Sequence, residues 1–172
     1  MLPPALPKNE AERINILHSL LILDSAPEER FDAVTAYCHV RFQVDIVLIC
    51  LVDADRQWFK SSWGLDVRET PRDISFCGHT ILKDEVLEIR DALLDERFAD
   101  NPLVGGSPNI RFYAGAPLKH SSGHNLGTLC LIHRQPKHLA PEELEHLKTL
   151  AHTVSLELEN NAARNQAAAA GQ

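Results

Sequence analysis

Ile46-Val47-Leu48-Ile49-Cys50-Leu51-Val52 is the longest apolar run of the chain and decides its fold. A run without polar alternation predicts a central strand that is covered on both faces. The turn-forming residues Asp53-Ala54-Asp55-Arg56 follow it, and the aromatic-rich stretch from Gln57 to Trp63 predicts the return strand of a hairpin. The run is far shorter than the roughly 20 apolar residues that a membrane-spanning helix needs.

Two helices are expected before this hairpin. The first begins at Asn9 or Glu10, and Ser25-Ala26-Pro27-Glu28 has the form of a capping box, which predicts a second helix running to about Phe42. Both helices carry apolar residues at helical spacing, so one side of each is expected to be buried. These residues are Ile14, Leu17, Leu20 and Leu21 in the first helix and Phe31, Val34, Cys38 and Phe42 in the second.

The chain from about Leu65 to Pro108, here called the irregular middle, is rich in proline and glycine. A short helix is expected near Ser75–Leu82 and a strand at Val86–Arg90. A stretch of this length with little regular structure inside a compact domain is more often functional than idle.

Two strands and a helix are expected after the irregular middle. The strands are Ile110–Lys119 and Leu126–Arg134, and Pro141 opens a final helix rich in Glu and Leu. The hairpins require antiparallel pairing, and the amphipathic helices must cover one face of the resulting sheet. The expected class is therefore α+β.

Length and composition indicate one globular domain. The chain has 172 residues, of which 44% are apolar and 24% charged, and these are ordinary values for a folded domain. We expect residues 1–9 to form an extended lead-in, residues 10–160 the domain, and residues 161–172 a flexible or helical tail.

Charge and the N-terminus limit the partners and the compartment. The net charge is −7 and no basic cluster is present, which disfavours nucleic acid as a partner. The N-terminus lacks the basic start and apolar stretch of a signal peptide, so we expect a cytoplasmic protein with no membrane partner.

Four strings of sequence resemble the GAF domains of bacterial signalling proteins, and they occur in the same order and at the same spacing. The resemblance covers roughly Glu10 to Asn160. It implies a GAF fold, in which a six-stranded antiparallel sheet has helices on one face and a ligand cavity, roofed by the irregular middle, on the other. The strings are Ile74-Ser75-Phe76-Cys77-Gly78-His79, Asp95-Glu96-Arg97-Phe98-Ala99-Asp100-Asn101-Pro102, Ile110-Arg111-Phe112-Tyr113-Ala114-Gly115-Ala116-Pro117-Leu118 and Leu126-Gly127-Thr128-Leu129-Cys130-Leu131-Ile132.

The resemblance also implies a partner. In this group the domain commonly precedes a diguanylate cyclase, a cyclic-di-nucleotide phosphodiesterase or a histidine kinase module. Nothing after Asn160 resembles such an output domain. We therefore expect either the sensor part of a longer protein or a stand-alone GAF protein that acts in trans.

Polar and aromatic residues on or beside the irregular middle are the candidate ligand site. Arginines at the rim of a cavity suit a phosphate or carboxylate group, because their planar fork offers paired donors. A small polar or anionic ligand is therefore expected, with the alternative that the arginines pair with nearby aspartates and only hold the loop. The candidates are Arg72, Asp73, Phe76, Cys77, His79, Arg111 and Tyr113.

No metal or other cofactor is expected. Cys77 and His79 are two residues apart, and two ligands cannot build a closed zinc site. The remaining histidines show no metal-binding spacing, and the signature of cyclic-nucleotide GAF domains does not align with this chain.

A thiol enzyme is the main catalytic alternative. Cys77-Gly78 resembles one cysteine position of free-methionine-sulfoxide reductase, a GAF enzyme, but that family's catalytic cysteine lies downstream, and no cysteine occurs between Cys77 and Cys130. A thiol redox cycle needs a second thiol within reach. We therefore predict that the chain is not an enzyme, and we interpret Cys38, Cys50 and Cys130 as core residues.

The first and last helices are candidates for a homodimer. Apolar residues of the last helix recur at spacings of three and four, and the first helix repeats the rhythm. The alternative, packing on the sheet, uses the same residues, and a dimerisation module without a ligand is the second functional hypothesis. The dimer candidates are Ile14, Leu17, Leu21, Leu144, Leu147, Val154 and Leu158.

Overall fold

A six-stranded antiparallel sheet is the centre of the fold in the computed structural model, which describes residues 1–171 except the side chains at positions 165, 166 and 169. The strand order is β3-β2-β1-β6-β5-β4. The α+β class and the six-stranded antiparallel sheet implied by the resemblance are confirmed. The strands are β1 (Ile46–Val52), β2 (Arg56–Trp63), β3 (Glu69–Pro71), β4 (Leu87–Ile89), β5 (Phe112–Lys119) and β6 (Asn125–His133).

Strand β1 lies in the middle of the sheet, as its apolar run predicts. All seven of its residues are buried, and β1 pairs with β2 on one side and with β6 on the other. Five strands were predicted near their observed bounds. The sixth, β3, was missed because it has only three residues, no apolar pattern and a proline at its end.

Helices cover one face of the sheet and the irregular middle covers the other. Helices α1 (Glu10–Ser19), α2 (Glu29–Phe42) and α5 (Pro141–Ala170) form one apolar core with the sheet. The single-turn helices α3 (Cys77–Thr80) and α4 (Pro102–Gly105) belong to a second core on the opposite face. The two-sided arrangement implied by the resemblance is confirmed.

The predicted capping box at Ser25-Ala26-Pro27-Glu28 is wrong. The Ser25 hydroxyl donates to the carbonyl oxygen of Ile22 and accepts a hydrogen bond from Lys60 Nζ at 2.8 Å. No side chain caps α2, which begins at Glu29. Tertiary contacts with β2 therefore replace the local capping interaction.

Lys60 is the extra residue of a β-bulge in β2. Cys50 pairs with Phe59 and Ile49 pairs with Ser61, so Lys60 has no partner residue on β1. A bulge redirects its side chain, and the Lys60 ammonium is fully buried against the Glu28 carboxylate at 2.7 Å. The bulge thus joins the sheet to the start of α2.

The apolar stripe of the terminal helices α1 and α5 packs mainly inside the chain. Leu17, Leu147, Val154 and Leu158 are at most 2% exposed and belong to the core beneath the sheet. The proposed dimer seam is corrected for these four residues, because α5 lies along β5 and β6 and buries the stripe there. The other three candidates differ: Ile14 and Leu144 are half-buried and Leu21 is exposed.

Helix α5 continues to Ala170, and Gln172, the last residue of the expected tail, lies outside the described residues. In the part of the chain that the structure covers, no helix combines the length and the apolar character needed to cross a bilayer.

Candidate functional site

A cavity of about 160 Å³ lies between the sheet and the irregular middle. Strands β1, β2 and β6 supply its floor, and residues from α4 and the loops on either side supply its roof. Most of its wall is apolar. The apolar wall includes Leu48, Phe59, Phe76, Leu103, Ile110 and Ile132.

Three polar side chains reach the cavity from its floor and edge, namely Gln57, Thr70 and Tyr113. Gln57 Nε2 donates to Thr70 Oγ1 at 2.6 Å, and its Oε1 accepts from Cys50 Sγ at 3.4 Å. The cavity therefore offers a small number of oriented polar groups in an apolar wall, which is typical of small-molecule sites.

The structure brings three of the predicted site residues to the cavity. Phe76, Cys77 and Tyr113 line it, since α3 and β5 face each other there. Arg72, Asp73, His79 and Arg111 do not contribute to its wall. The expected arginine rim is absent from this cavity, and the reason is found in the partners of each residue.

Arg72 is 4% exposed and belongs to a network with α1. Its Nη1 donates to Glu10 Oε1 at 2.5 Å and to the carbonyl oxygen of Asp53 at 2.9 Å. Arg13, 1% exposed, binds the same carboxylate through Nε at 2.9 Å. Two buried guanidinium groups thus share one carboxylate, and Arg72 stabilises the fold instead of facing a ligand.

The remaining three polar candidates have internal or solvent contacts. Arg111 Nη1 donates to the carbonyl oxygens of Val104 and Ile110 at 2.8 and 2.9 Å, which fixes the end of α4. His79 Nε2 lies 3.0 Å from the carbonyl oxygen of Leu2, so the lead-in packs over α3, and burial lowers the pKa of His79. Asp73 is exposed to solvent.

Three cysteines meet beside the cavity, and sequence reasoning missed this cluster. Cys77 Sγ lies 3.9 Å from Cys130 Sγ, and Cys50 lies beside them on β1. Thr128 Oγ1 donates to Cys77 Sγ at 3.0 Å and the Tyr113 hydroxyl donates to it at 3.5 Å. The signal available in the sequence was that Thr128 and Cys130, two residues apart, share one face of a predicted strand; that Cys50 lies on the neighbouring strand depends on strand order, which was unknown.

The hydrogen bonds make Cys77 the most acidic thiol of this cluster. Burial alone would raise the pKa of Cys77, but the neighbouring thiols of Cys130 and Cys50 and the hydrogen bonds donated by Thr128 and Tyr113 hold it below its usual range. Burial raises the pKa of Cys50, while contact with Cys77 and burial raise the pKa of Cys130. Burial also raises the pKa of Tyr113, which therefore keeps its proton and remains a donor.

Among residues 1–171, no group of three or more His, Cys, Asp or Glu side chains is placed to hold a metal ion.

Comparison with known proteins gives one relative and many similar folds. A cyclic di-GMP phosphodiesterase of Pseudomonas aeruginosa is 46% identical over 154 residues, which are 87% of this chain and 26% of that protein. The chain therefore spans about a quarter of the length of the curated relative that it matches.

Two solved structures illustrate the similarity of fold. The blue-light absorbing form of the PixJ GAF domain from Thermosynechococcus elongatus is 17% identical, with a TM-score of 0.63 and coverage of 96% of each chain. The free methionine-R-sulfoxide reductase of Neisseria meningitidis, in complex with its substrate, is 16% identical, with a TM-score of 0.64 and coverage of 96% of this chain and 98% of that one. At these identities the similarity concerns the fold alone.

The family profile that matches this chain is that of the GAF domain, over residues 26–158. That range begins shortly before α2, contains all six strands and ends within α5. The chain belongs to the GAF domain family.

Proposed function

We propose that this chain is a sensory domain that binds a small molecule in the cavity and passes the binding event to an output domain. The observation that supports it best is the position of the cavity, which lies on the face of the sheet opposite to the terminal helices. A ligand there would act on the strands from one side while the helices respond on the other.

The ligand in this proposal is small and mainly apolar, with one or two hydrogen-bonding groups. An apolar cavity of about 150 Å³ accepts a molecule the size of benzene, and this cavity is of similar volume. Gln57, Thr70 and Tyr113 offer the polar contacts, and Phe76 and Cys77 complete the wall. The earlier expectation of an anionic ligand loses its basis, because Arg72, His79 and Arg111 have other contacts.

The output partner in this proposal is an enzyme domain of cyclic-di-nucleotide signalling. The support is the identity of 46% with part of a phosphodiesterase named for cyclic di-GMP. Catalysis belongs to that output domain, and the chain itself is not an enzyme in this proposal.

A continuous set of contacts provides a route from the cavity to α5. Phe59 lies in the cavity wall, and the next residue, Lys60, contacts Glu28 on the helical face. Asn161 of α5 donates from Nδ2 to Glu28 Oε2 at 3.3 Å and accepts from Arg30 at 2.6 Å. Displacement of β2 would therefore move α5, provided that the ligand binds the two arrangements with different affinity.

A homodimer through the terminal helices remains part of the proposal, but exposed leucines replace the buried apolar stripe as its contact residues. The buried stripe of α5 is occupied by the sheet, whereas Leu21 and Leu156 are 55% and 48% exposed. Leu21 follows the end of α1 and Leu156 lies on α5, and two copies related by a twofold axis would bring these exposed leucines together.

The direct test of ligand binding is native mass spectrometry of the protein purified from cells under mild conditions. We expect an additional mass at a ratio of one per chain, lost on denaturation. If no mass co-purifies, and calorimetric titration with small aromatic compounds, organic acids, amino acids and nucleotides shows no binding, the interaction module without a ligand replaces this proposal.

A cavity-filling variant tests the location of the site. Leu103→Phe adds volume from the half-buried α4, so we expect bound mass to disappear while the apo protein keeps or gains thermal stability. Leu93→Phe is the matched control, because Leu93 also follows β4 in the irregular middle but is 49% exposed and lies outside the cavity. Binding that survives Leu103→Phe unchanged would place the ligand elsewhere.

A further inference from the structure

We propose that Cys77 is a site of oxidation by hydroperoxides and that it forms an intrachain disulfide with Cys130. This proposal is separate from the ligand of the cavity, and it assigns a chemical role to Cys77, a predicted site residue, and to Cys130, which the sequence analysis interpreted as core packing. It rests on the arrangement of three sulfur atoms and two hydroxyl groups behind the cavity wall.

The fold brings the two thiols together from distant parts of the chain. Cys130 lies on β6 next to β1, with Leu48 opposite it. Cys77 is the first residue of α3, the single turn that covers this part of the sheet, and its sulfur lies 3.9 Å from that of Cys130. A disulfide bond is about 2.05 Å long, so the sulfurs must approach by roughly 2 Å, a distance within the reach of side-chain rotation and a small shift of α3.

The surroundings of Cys77 favour it as the thiol that reacts first. Two hydroxyl groups, from Thr128 and Tyr113, donate to its sulfur. The Tyr113 hydroxyl also lies 2.7 Å from Thr80 Oγ1, and this contact with α3 holds the Tyr113 side chain beside the sulfur. Donors that converge on sulfur stabilise the thiolate, and the thiolate is the nucleophile in cysteine oxidation.

The cavity is the route by which an oxidant reaches this sulfur. Cys77 is only 2% exposed, but it forms part of the cavity wall, whereas Cys50 and Cys130 do not line the cavity. Because the wall is mainly apolar, entry of a charged oxidant is costly. A small neutral molecule with an O–O bond, such as hydrogen peroxide, fits the size of the cavity and avoids the cost of desolvating a charge.

The reaction proceeds in two balanced steps. In the first, Cys77 sulfur attacks one peroxide oxygen, an S–O bond forms and the O–O bond breaks; the departing hydroxide takes the thiol proton and leaves as water. In the second, the Cys130 sulfur attacks the Cys77 sulfenic acid, the S–S bond forms and the S–O bond breaks, and the hydroxide leaves as water with the Cys130 proton. Two thiols lose two electrons in total, and one peroxide is reduced to two water molecules.

Of the two remaining cysteines, Cys38 provides an internal control. Cys38 lies in the other core, between the helices and the sheet, and burial raises its pKa to about 12. It has no thiol neighbour in the part of the chain that the structure describes. Cys50 belongs to the cluster, and its sulfur donates to Gln57 instead of lining the cavity.

The test is treatment of the fully reduced chain with one equivalent of hydrogen peroxide, followed by intact mass measurement and peptide mapping without reducing agent. The reduced protein has four free thiols. We expect the loss of two hydrogen atoms from the mass, two remaining thiols, and one linked peptide pair that contains Cys77 and Cys130. Cys38→Ser should give the same linked pair.

Trapping of the intermediate provides the second measurement. In Cys130→Ser the sulfenic acid on Cys77 should persist and react with dimedone. In Tyr113→Phe, which keeps both Cys77 and Cys130, the rate of oxidation should fall by roughly 2- to 10-fold, the effect of one hydrogen bond. The proposal is overturned if the folded wild type keeps all four thiols at a peroxide dose that oxidises the urea-unfolded chain. It is also overturned if the linked peptides contain Cys38 or come from two chains. The wild-type map decides the question even if a variant fails to fold.

Discussion

At the scale of single residues, the charged groups that were predicted to face a ligand make contacts inside the fold. Arg72 and Arg13 share the Glu10 carboxylate, and the partners Arg72 and Glu10 lie 62 positions apart in the chain. A sequence window around the irregular middle contains no sign of this contact. The expected alternatives, nearby aspartates, were therefore the wrong partners for Arg72.

The Glu10 network predicts a specific pH dependence of stability. Although burial alone would raise the pKa of Glu10, hydrogen bonds from Arg13 and Arg72 lower it from 4.5 to about 2. The folded state thus binds this proton more weakly than the unfolded state, so the stabilisation is complete above about pH 4.5 and is lost as the pH falls toward 2. In Glu10→Gln we expect a loss of about 2 kcal/mol at pH 7, because the charge-assisted hydrogen bonds of two guanidinium groups are lost. We also expect the stability of this variant to change less with pH below 4.5.

Urea unfolding at pH 7, 4.5 and 3 measures both effects. Glu12→Gln is the matched control on the same helix, since the Glu12 side chain is 76% exposed and pairs with His124 at the surface. We expect this control to lie within about 0.5 kcal/mol of the wild type. Equal losses in the two variants at pH 7 would contradict the importance of the buried network.

At the scale of elements, the attachment of α2 to the sheet depends on a buried ammonium group. Lys60 Nζ contacts the Glu28 carboxylate at 2.7 Å and donates to Ser25 Oγ at 2.8 Å and to the Ala26 carbonyl oxygen at 2.6 Å. It also lies 5.5 Å from the centre of the Phe31 ring. These contacts replace the side-chain cap that α2 lacks.

Lys60→Met is expected to loosen the start of α2 more than the sheet. The variant keeps the apolar stem but leaves three oxygen acceptors without this donor, and we expect a loss of about 1–3 kcal/mol. Hydrogen exchange should accelerate at the amides of Phe31 and Asp32, which bond to the Glu28 carbonyl oxygen in the first turn. In Lys119→Met, where the salt bridge to Asp84 is exposed, stability and exchange should stay unchanged. Unaltered exchange in Lys60→Met would mean that Lys60 does not hold this helix.

At the scale of the whole molecule, the apolar stripe of α5 was consistent with two interpretations, packing on the sheet and contact with a second copy of the chain. Leu147 is fully buried in the core beneath the sheet, whereas Leu156 on the same helix is 48% exposed. A helix that packs on a sheet and a helix that joins a dimer show the same spacing of three and four. Only the position of α5 against β5 and β6 separates them.

A pair of glutamate variants on α5 separates folding from association. Leu147→Glu buries a charge and should cost about 3–5 kcal/mol or prevent folding. Leu156→Glu should leave the thermal midpoint almost unchanged and shift a dimer toward monomer in light scattering at several concentrations. A wild type that stays monomeric at high concentration would contradict the homodimer proposed for the terminal helices.

Much of the fold was predictable, and the site was predictable only in part, for one physical reason. The apolar run of β1 and the helical stripes are local patterns, so the bounds of most elements follow from neighbouring residues. Phe76, Cys77 and Tyr113 were placed at the cavity through the resemblance and do line it. The contact between Cys77 and Cys130 joins residues 53 positions apart and depends on strand order, which no local pattern contains.

The bulge in β2 also has a consequence for insertions and deletions. Loss of one residue from a regular strand reverses the faces of every position that follows. Removal of Lys60 would instead leave Phe59 opposite Cys50 and Ser61 opposite Ile49, as they are now. Strand β2 can thus change its length by one residue without exchanging its two faces. The residue gained or lost is Lys60, which connects the sheet to α2. Insertion or deletion of a single codon can therefore add or remove that connection.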